Sequence, residues 1–532
     1  MRNKKWLLGL AFLGLGFVLA GCGKSATSTK ELSVTLPDEP MTVDPNKQTD
    51  TNSAAVILQS MEGLYRYDKN NKLTPGVATK VVTPTNNGKT YTFNLRKDAK
   101  WSNGQPVTAQ DFVTSFRRNV DPKTKSQYST LFAAFKNYTP VSTGKMSLSK
   151  LGVQALGKYK LRIQLSTPVP YFNDLAADKF LPLNTAAVKK YGQSYGTSSS
   201  KAVYDGAYKV VGWTGSNSSF SYQKNNYYWN KNNVKVPKVN VTVTKDQNTA
   251  IDLFKSGKIQ ETTVTGQYVR QNKNDPEMKT HLLGRLQYLY FNNKKNQTNS
   301  ENLRKAFSLV VDRNTLTNNV LEDGSKPALS AVPVGDMKNP KTGQDMATEQ
   351  GNLLKTDVAQ AKQYWNKYLQ EKGTKNVTLD LLTDNTDADR NVGQYVQQVA
   401  EKNFKGLKVT LTQVPHAQHV ARDFAGQFEM NLTGWSTNWL DASDFLSLAQ
   451  STNTVNFTHW KDAQFDSLLK QANAKSGYAR YQGLMKANQY LMSVQGFVPL
   501  YQPAEAKLVS KKVGGLNYSL LNEAQYQYAY WK

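Results

Sequence analysis

Thr90-Tyr91-Thr92-Phe93-Asn94-Leu95-Arg96-Lys97-Asp98-Ala99-Lys100-Trp101-Ser102-Asn103-Gly104-Gln105-Pro106-Val107-Thr108-Ala109-Gln110-Asp111-Phe112-Val113 is the run on which the reading of this chain turns. It opens in strict alternation, which puts Tyr91, Phe93 and Leu95 on the buried face of a strand. Trp101 packs beside that strand, and Asn103-Gly104 turns the chain. Thr108 then caps a helix that holds Asp111 to Phe116, its side-chain oxygen satisfying a free amide of the first turn. All of this is structural chemistry: the run predicts a strand, a turn and a capped helix rather than a binding surface.

The same periodicities extend in both directions. Leu32, Val34 and Leu36 alternate as a half-buried strand that stops at Pro37, and Thr51 to Leu64 has Ala55, Leu58, Gln59 and Glu62 at helical spacing. Asn86-Asn87-Gly88 marks the turn ahead of the quoted run. Beyond it, Lys160 to Leu165 alternates before Pro168 and Pro170, and Val239, Val241 and Val243 mark a further strand. Helices are predicted over Glu301 to Val311 and over Asp357 to Leu369, where Val358, Ala361, Trp365 and Tyr368 share a face. Strand and helix interleave throughout, so the fold class is α/β, mixed α+β. There is no period of about 20 to 50 residues, which excludes a solenoid or propeller.

At the N-terminus, Arg2, Lys4 and Lys5 precede an apolar run from Leu7 to Ala20 that is short for a bilayer span and is interrupted by Gly9, Gly14 and Gly16. A basic start, a short apolar run and a small-residue exit describe a secretory signal over residues 1–21. Leu19-Ala20-Gly21-Cys22 resembles the bacterial lipobox, in which the cysteine is lipidated and becomes the first mature residue. Cys22 is therefore the expected anchor, and residues 22–30 form a flexible leash rich in Gly, Ser, Thr and Lys. The folded body is expected on the extracytoplasmic face of the bacterial cell membrane. Gly23-Lys24-Ser25 looks like the end of a phosphate-binding loop, but Val18 occupies the position of the required glycine and no strand precedes it.

The 532 residues carry 67 Lys and Arg against 40 Asp and Glu, a formal net charge of +27. The cations are scattered rather than gathered into a run that would track phosphates, so nucleic acid is not an expected partner. Such a charge suits an anionic envelope and keeps the protein in solution. Cys22 is the only cysteine, so no internal disulfide is available and stability rests on the core and on hydrogen bonding. The 28 tyrosines supply flat apolar faces with a polar tip, which suit recognition as well as packing. The four histidines, His281, His416, His419 and His459, enter no His-Glu-x-x-His pair, and there is no Gly-x-Ser-x-Gly elbow. His416 and His419 would share a helical face as metal ligands do, but Pro415 and a strand over Val409 to Val414 precede them and no third ligand motif accompanies them; a surface pair is the expected reading. No enzymatic activity, cofactor or metal is expected.

The quoted run resembles the hallmark segment of the oligopeptide-binding lipoproteins of ABC importers, the large peptide and nickel class of extracellular solute-binding proteins. Further matches follow in that family's order: Val43-Asp44-Pro45, Glu62-Gly63-Leu64, Pro168-Val169-Pro170-Tyr171-Phe172, Asp205-Gly206-Ala207-Tyr208-Lys209, Asn226-Tyr227-Tyr228-Trp229, Leu303-Arg304-Lys305-Ala306, Val311-Asp312-Arg313, Gly434-Trp435 and Val498-Pro499-Leu500-Tyr501. Together they cover nearly the whole mature chain. The resemblance implies a two-lobed, periplasmic-binding-protein-like fold with a hinge between the lobes. Lobe one would comprise residues 31–61, 183–287 and 502–532, with an extra subdomain over 62–182 and lobe two over 288–501. It implies a monomeric receptor that captures oligopeptides between the lobes and hands them to the membrane permease of an ABC importer. The alternatives are a receptor for a nickel chelate or other non-peptide solute, and a surface adhesin or peptide sensor.

A receptor for many peptide sequences must grip what all peptides share, the backbone and the charged ends. In the family this falls to the segment matched here by Gly434 to Ala442. Backbone groups of Gly434 and Ser436 would pair with an extended ligand, with Trp435 beside them. An aspartate usually occupies the position of Asn438 and forms a salt bridge with the ligand's α-amine; Asn438 offers a carbonyl oxygen and no charge. Losing a desolvated charge pair costs about 2 to 5 kcal/mol. Either Asp441 or Asp444 substitutes, or the ligand is not anchored by a free N-terminus. Asp441 has a second reading as a helix N-cap ahead of Phe445 and Leu448. Tyr128 matches a cleft tyrosine of the extra subdomain, while Tyr288 and Tyr290, near the inferred crossing, either line the cleft or pack in the core.

Overall fold

The computed structural model describes residues 30–70, 72–518, 520–521 and 524–532. The signal over residues 1–21, Cys22 and nearly all of the leash lie outside the described residues.

The strand Thr90–Asn94 buries Tyr91 and Phe93 and pairs with Lys160–Gln164, which in turn pairs with Val153–Gly157. Over this three-stranded sheet the helix Ala109–Val120 buries Phe112 and Phe116. Phe116 meets Phe132, Phe135 and Phe180 at centroid distances of 5.3, 5.9 and 5.4 Å, in the tilted and edge-on geometries that aromatic rings prefer. Thr108 is the N-cap, and Asp111 carries the tie. Its Oδ2 accepts from the Thr108 N–H (2.9 Å), the Thr108 hydroxyl (3.0 Å) and Trp101 Nε1 (3.2 Å), and its Oδ1 from the Thr185 N–H (2.9 Å) and hydroxyl (2.7 Å). One buried carboxylate thus fastens the hallmark run to the start of the helix Thr185–Tyr191.

Two larger sheets organise the rest. The seven-stranded sheet has the order Met278–Leu282, Ala504–Val509, Glu261–Val264, Leu32–Leu36, Lys238–Val243, Ser219–Lys224, Tyr208–Val211. Leu32–Leu36 lies parallel to both neighbours, and the remaining pairs are antiparallel. The six-stranded sheet has the order Lys326–Pro327, Val498–Gln502, Arg285–Phe291, Met430–Ser436, Val377–Asp384, Leu407–Val414. Helices cover both of its faces, so Arg285–Phe291 sends Leu286, Tyr288 and Tyr290 into one core and Leu289 and Phe291 into the other. Tyr288 and Tyr290 are therefore core residues rather than cleft residues, stacked on each other at 5.4 Å, with Phe497 set 4.8 Å edge-on to Tyr288.

The chain passes between these two sheets at Leu283-Gly284 and again at Pro503. The crossings are bonded to each other: the Leu283 N–H donates to the Pro503 carbonyl at 2.9 Å, and Gln502 Nε2 to the Leu283 carbonyl at 2.9 Å. Two adjacent links of one or two residues are a sparse connection between the two sheets, of the kind a hinge requires.

Some local expectations are revised by packing. The first helix spans Thr51–Ser60 and stops short of Leu64. Gly63 lies so close to the helix Phe172–Asp178 that a Cβ would sit 2.6 Å from the Ala176 carbonyl oxygen, and the Glu62 N–H donates to Asp205 Oδ1 at 3.0 Å. Both contacts hold the backbone out of the helix. The helix Val358–Lys372 is capped by Asp357 and buries Ala361, Trp365 and Tyr368, while Val358 is exposed. The surface-pair reading holds for His416 alone. On the helix His416–Ala425, His419 is buried against the sheet, and Nδ1 of each ring meets Asp384, at 2.8 Å for His416 and 2.6 Å for His419.

The motifs that carry the resemblance pair off inside the fold. Glu62 accepts from the Tyr228 hydroxyl and from Trp229 Nε1 (2.5 Å), and Arg96 stacks on Trp229 at 3.5 Å. Arg304 Nε donates to the Gln495 carbonyl at 2.6 Å and Arg313 Nε to the Pro499 carbonyl at 2.9 Å. Burial pulls both guanidinium pKa values down to about 10, which leaves them charged.

Candidate ligand-binding cleft

The strand Met430–Ser436 is buried at Met430, Asn431 and Leu432 and becomes progressively accessible from Thr433 to Ser436. On one edge it pairs along its whole length with Arg285–Phe291, Gln287 facing Gly434 and Arg285 facing Ser436. On the other edge Val377–Asp384 pairs only with Met430 and Asn431. The stretch from Leu432 to Ser436 therefore has a sheet partner on one side alone among the described residues, and its second row of backbone groups is unpaired by the sheet. Gly434 has a local reason to be glycine: a Cβ would fall 1.7 Å from Gln287 Oε1 and 2.8 Å from Arg285 Nε. Those side chains lie across the strand there, Gln287 Oε1 accepting from Arg285 Nη2 at 3.2 Å and Gln287 Nε2 donating to Asp389 at 3.3 Å.

Three adjoining cavities line up beside this strand. One of about 200 Å³ lies between the helix Thr51–Ser60 and the strand end, bounded by Ala54, Leu58, Gly284, Arg285 and Ser436. It shares Ala54, Leu58 and Leu521 with a cavity of about 90 Å³ that Tyr128, Glu62, Arg66 and Lys179 also line. Leu131 joins that one to an open cavity of about 860 Å³ beside Tyr171, Trp439 and Lys470. Tyr128 and Ser436 thus line one groove between the bodies, and Gly434 lies two residues before Ser436 on the same strand. Glu62, Arg66 and Lys179 are groove residues that sequence reasoning did not single out; Glu62-Gly63-Leu64 was the only available signal.

The loop after the strand is held from behind by acids. Asp441 is not the free acid that the missing aspartate would require. Its carboxylate receives Arg480 Nη1 at 2.5 Å and Nη2 at 2.8 Å and also accepts from the Ser443 N–H at 2.9 Å, in a turn ahead of the helix Ser443–Leu446. Asp444 is also buried. Its Oδ1 accepts from Trp435 Nε1 at 3.2 Å and its Oδ2 from the Asn438 N–H at 2.5 Å. Burial raises its pKa to about 6 against the lowering effect of those donors. Asp336 is pushed well above the usual carboxylate range by burial, then by Asp444 and Asp441. The Thr437 hydroxyl has one proton and lies 2.6 Å from the Trp439 carbonyl, so its 3.2 Å contact with Asp336 Oδ1 calls for a proton on the acid. Lys179 faces this region with Nζ 2.8 Å from Asp178. Burial lowers its pKa, but Asp178, Tyr128 and Asp444 outweigh that and hold the ammonium charged.

Two sheets, two short crossings and a groove between them define a two-lobed binding protein of mixed α/β fold. The profile of the bacterial extracellular solute-binding proteins, family 5 Middle, matches residues 72–457, and the chain belongs to that family. It is similar to the dipeptide-binding protein of Lactococcus lactis, 30% identical over 522 residues and 94% of either chain. It is 28% identical over 553 residues to the oligopeptide-binding protein OppA of Bacillus subtilis, across the full length of both. Among solved structures, Listeria monocytogenes OppA bound to peptide superposes with a TM-score of 0.81 at 32% identity, covering 95% of this chain and 99% of that one.

Proposed function

We propose that this protein is an extracytoplasmic receptor that captures oligopeptides in the groove between its lobes and delivers them to the permease of an ABC importer. One observation carries the reading: the exposed end of Met430–Ser436 has an unpaired edge that opens on a groove. An extended peptide laid there adds a strand through its main chain, whatever its side chains. Gly434 and Ser436 supply backbone groups, Trp435 and Asn438 stand beside them, Tyr128 meets the ligand from the subdomain, and Asp441 serves the loop through Arg480. Lobe one comprises residues 31–61, 183–287 and 502–532, with the subdomain at 62–182 and lobe two at 288–501; closure turns on Leu283-Gly284 and Pro503. The receptor works as a monomer held to the membrane by a lipid on Cys22, catalyses no reaction and needs no cofactor. Names of relatives that specify dipeptides and oligopeptides support a peptide as the ligand over a metal chelate.

Native mass spectrometry of the protein released from its own membrane in mild detergent tests this. The expected result is a peptide mixture bound one to one and a diacyl modification on Cys22. A metal chelate, or an empty protein whose melting temperature a diverse peptide pool does not raise, overturns it.

A further inference from the structure

Asn438 stands where the resemblance implies an aspartate that pairs with the ligand's amine, and its surroundings give it a defined orientation. Asp444 lies behind it, Oδ2 accepting from the Asn438 N–H at 2.5 Å and Oδ1 accepting from Asn438 Nδ2 at 3.4 Å and Trp435 Nε1 at 3.2 Å. A carboxamide is planar, so turning Nδ2 to Asp444 turns Oδ1 away from it. Asn438 Oδ1 accepts no hydrogen bond from the described residues, and the side chain is half-buried where Asp444 is 1% exposed. The Asp444 carboxylate does not reach the groove, and Asp441 is matched by Arg480. The loop therefore carries at Asn438 a neutral oxygen that is turned away from a buried carboxylate.

The geometry points to Asp444 as a positioning residue that holds Asn438 with its amide oxygen towards the ligand, so that the site takes a hydrogen-bond donor from the ligand's amino end without requiring a positive charge. The inference rests on the peptide-receptor reading and adds a substrate class to it: peptides whose amino end is acylated or continues as an amide bind alongside those with a free amine. An ammonium gains over an amide N–H through charge assistance, and a neutral acceptor returns little of that difference.

The test uses the full chain in detergent and two probes, a pool of random heptapeptides with free amino ends and the same pool N-acetylated. The wild type is expected to bind both within about threefold, whereas a preference for the free amine beyond about tenfold, the mark of a charge-assisted contact, overturns the inference while leaving the receptor intact. Binding of neither pool is a different result and overturns the receptor reading itself, with this inference. The double variant Asn438→Asp/Asp444→Asn keeps one negative charge in the pair and moves it to the ligand side. It is expected to gain about tenfold preference for the free amine, while Asn438→Asp alone, with two carboxylates face to face sharing a proton, gains clearly less. A purely structural Asp444 predicts that the single variant does as well as the double, and that outcome overturns the positioning role; thermal melts confirm that each variant is folded.

Discussion

Tyr171, at the start of the helix Phe172–Asp178, lies flat on Trp439, ring centroids 4.0 Å apart and planes 7° from parallel. Trp439 sits in the loop that follows the exposed strand end, so in the proposed peptide receptor this stack would tie the segment around Tyr171 to the edge on which the ligand lies. Replacing either ring by alanine removes about 0.5 to 1.5 kcal/mol beyond simple burial, which is about a 2- to 12-fold faster release of bound peptide. Stopped-flow displacement measures it. Release from Trp439→Ala at the wild-type rate would show that the stack contributes nothing to the closed state.

Arg480 and Asp441 form a bidentate pair at 2.5 and 2.8 Å with both side chains buried. Removing one partner strands the other. Arg480→Met is expected to cost about 3 to 5 kcal/mol in urea unfolding, and Arg480→Met/Asp441→Leu to recover most of it. Equal loss in the single and double variants would contradict the pairing.

Acid should stabilise this fold down to about pH 5. Burial chiefly raises Asp174, Asp423 and Asp444 to about 6. A carboxyl raised in the folded state contributes stability that is complete below its unfolded value of about 4 and is lost as pH rises through about 6. His419 has Nδ1 2.6 Å from Asp384 and Nε2 2.6 Å from the Asn431 side-chain oxygen, so both nitrogens face acceptors and the ring is held as imidazolium. Burial lowers its pKa, and Asp384 with Asp423 and Asn431 more than reverses that; His416 is raised mainly by Asp384. Their contribution is present below 6.5 and fades as pH rises through the raised values. Asp384 has the opposite sign: burial raises it, the two histidines lower it further, and its contribution disappears only in stronger acid. Urea unfolding at constant salt is expected to give greater stability at pH 5 than at pH 8, with Asp444→Asn removing about 1.4 kcal/mol of the difference. A stability that rises from pH 5 to pH 8 would contradict these assignments.

Two glycines separate binding from folding. At Gly434 an added Cβ meets the flexible ends of Gln287 and Arg285, which can move aside. Gly434→Ala should therefore stay within about 1 kcal/mol of the wild type in stability while weakening peptide binding about tenfold, because the displaced side chains enter the edge that the ligand needs. At Gly284 the Cβ meets the Leu520 carbonyl oxygen at 2.6 Å and Thr437 Cγ2 at 2.4 Å, next to the crossing. Backbone cannot swing away as a side-chain tip does, so Gly284→Ala is expected to destabilise by about 1 to 3 kcal/mol. Calorimetry of melting and of binding distinguishes the two effects, and identical profiles for both variants would contradict the account.

Much of the architecture was legible because it is local. Alternation at Leu32, Val34 and Leu36 and at Tyr91 and Phe93 places strands where they form, and Asp357 caps the predicted helix. The spacing of Glu62 fits a helix; only the distant Ala176 carbonyl against Gly63 and Asp205 on the Glu62 N–H end the helix sooner. The partners that decide the site lie far apart in the chain: Arg480 is 39 residues from Asp441 and Asp336 is 101 from Thr437. No periodicity encodes such pairs. The bare edge of Leu432 to Ser436 was equally hidden, because it depends on where Val377–Asp384 stops pairing.

That edge is also where the central claim is most exposed to test. Hydrogen–deuterium exchange at Leu432 to Ser436 should be measured with and without a saturating peptide pool. Main-chain capture predicts that amides of Gly434 and Ser436 on the free edge slow by at least about tenfold when peptide binds, alongside weaker slowing near Tyr128. Unchanged exchange at this strand under saturating peptide would contradict the account.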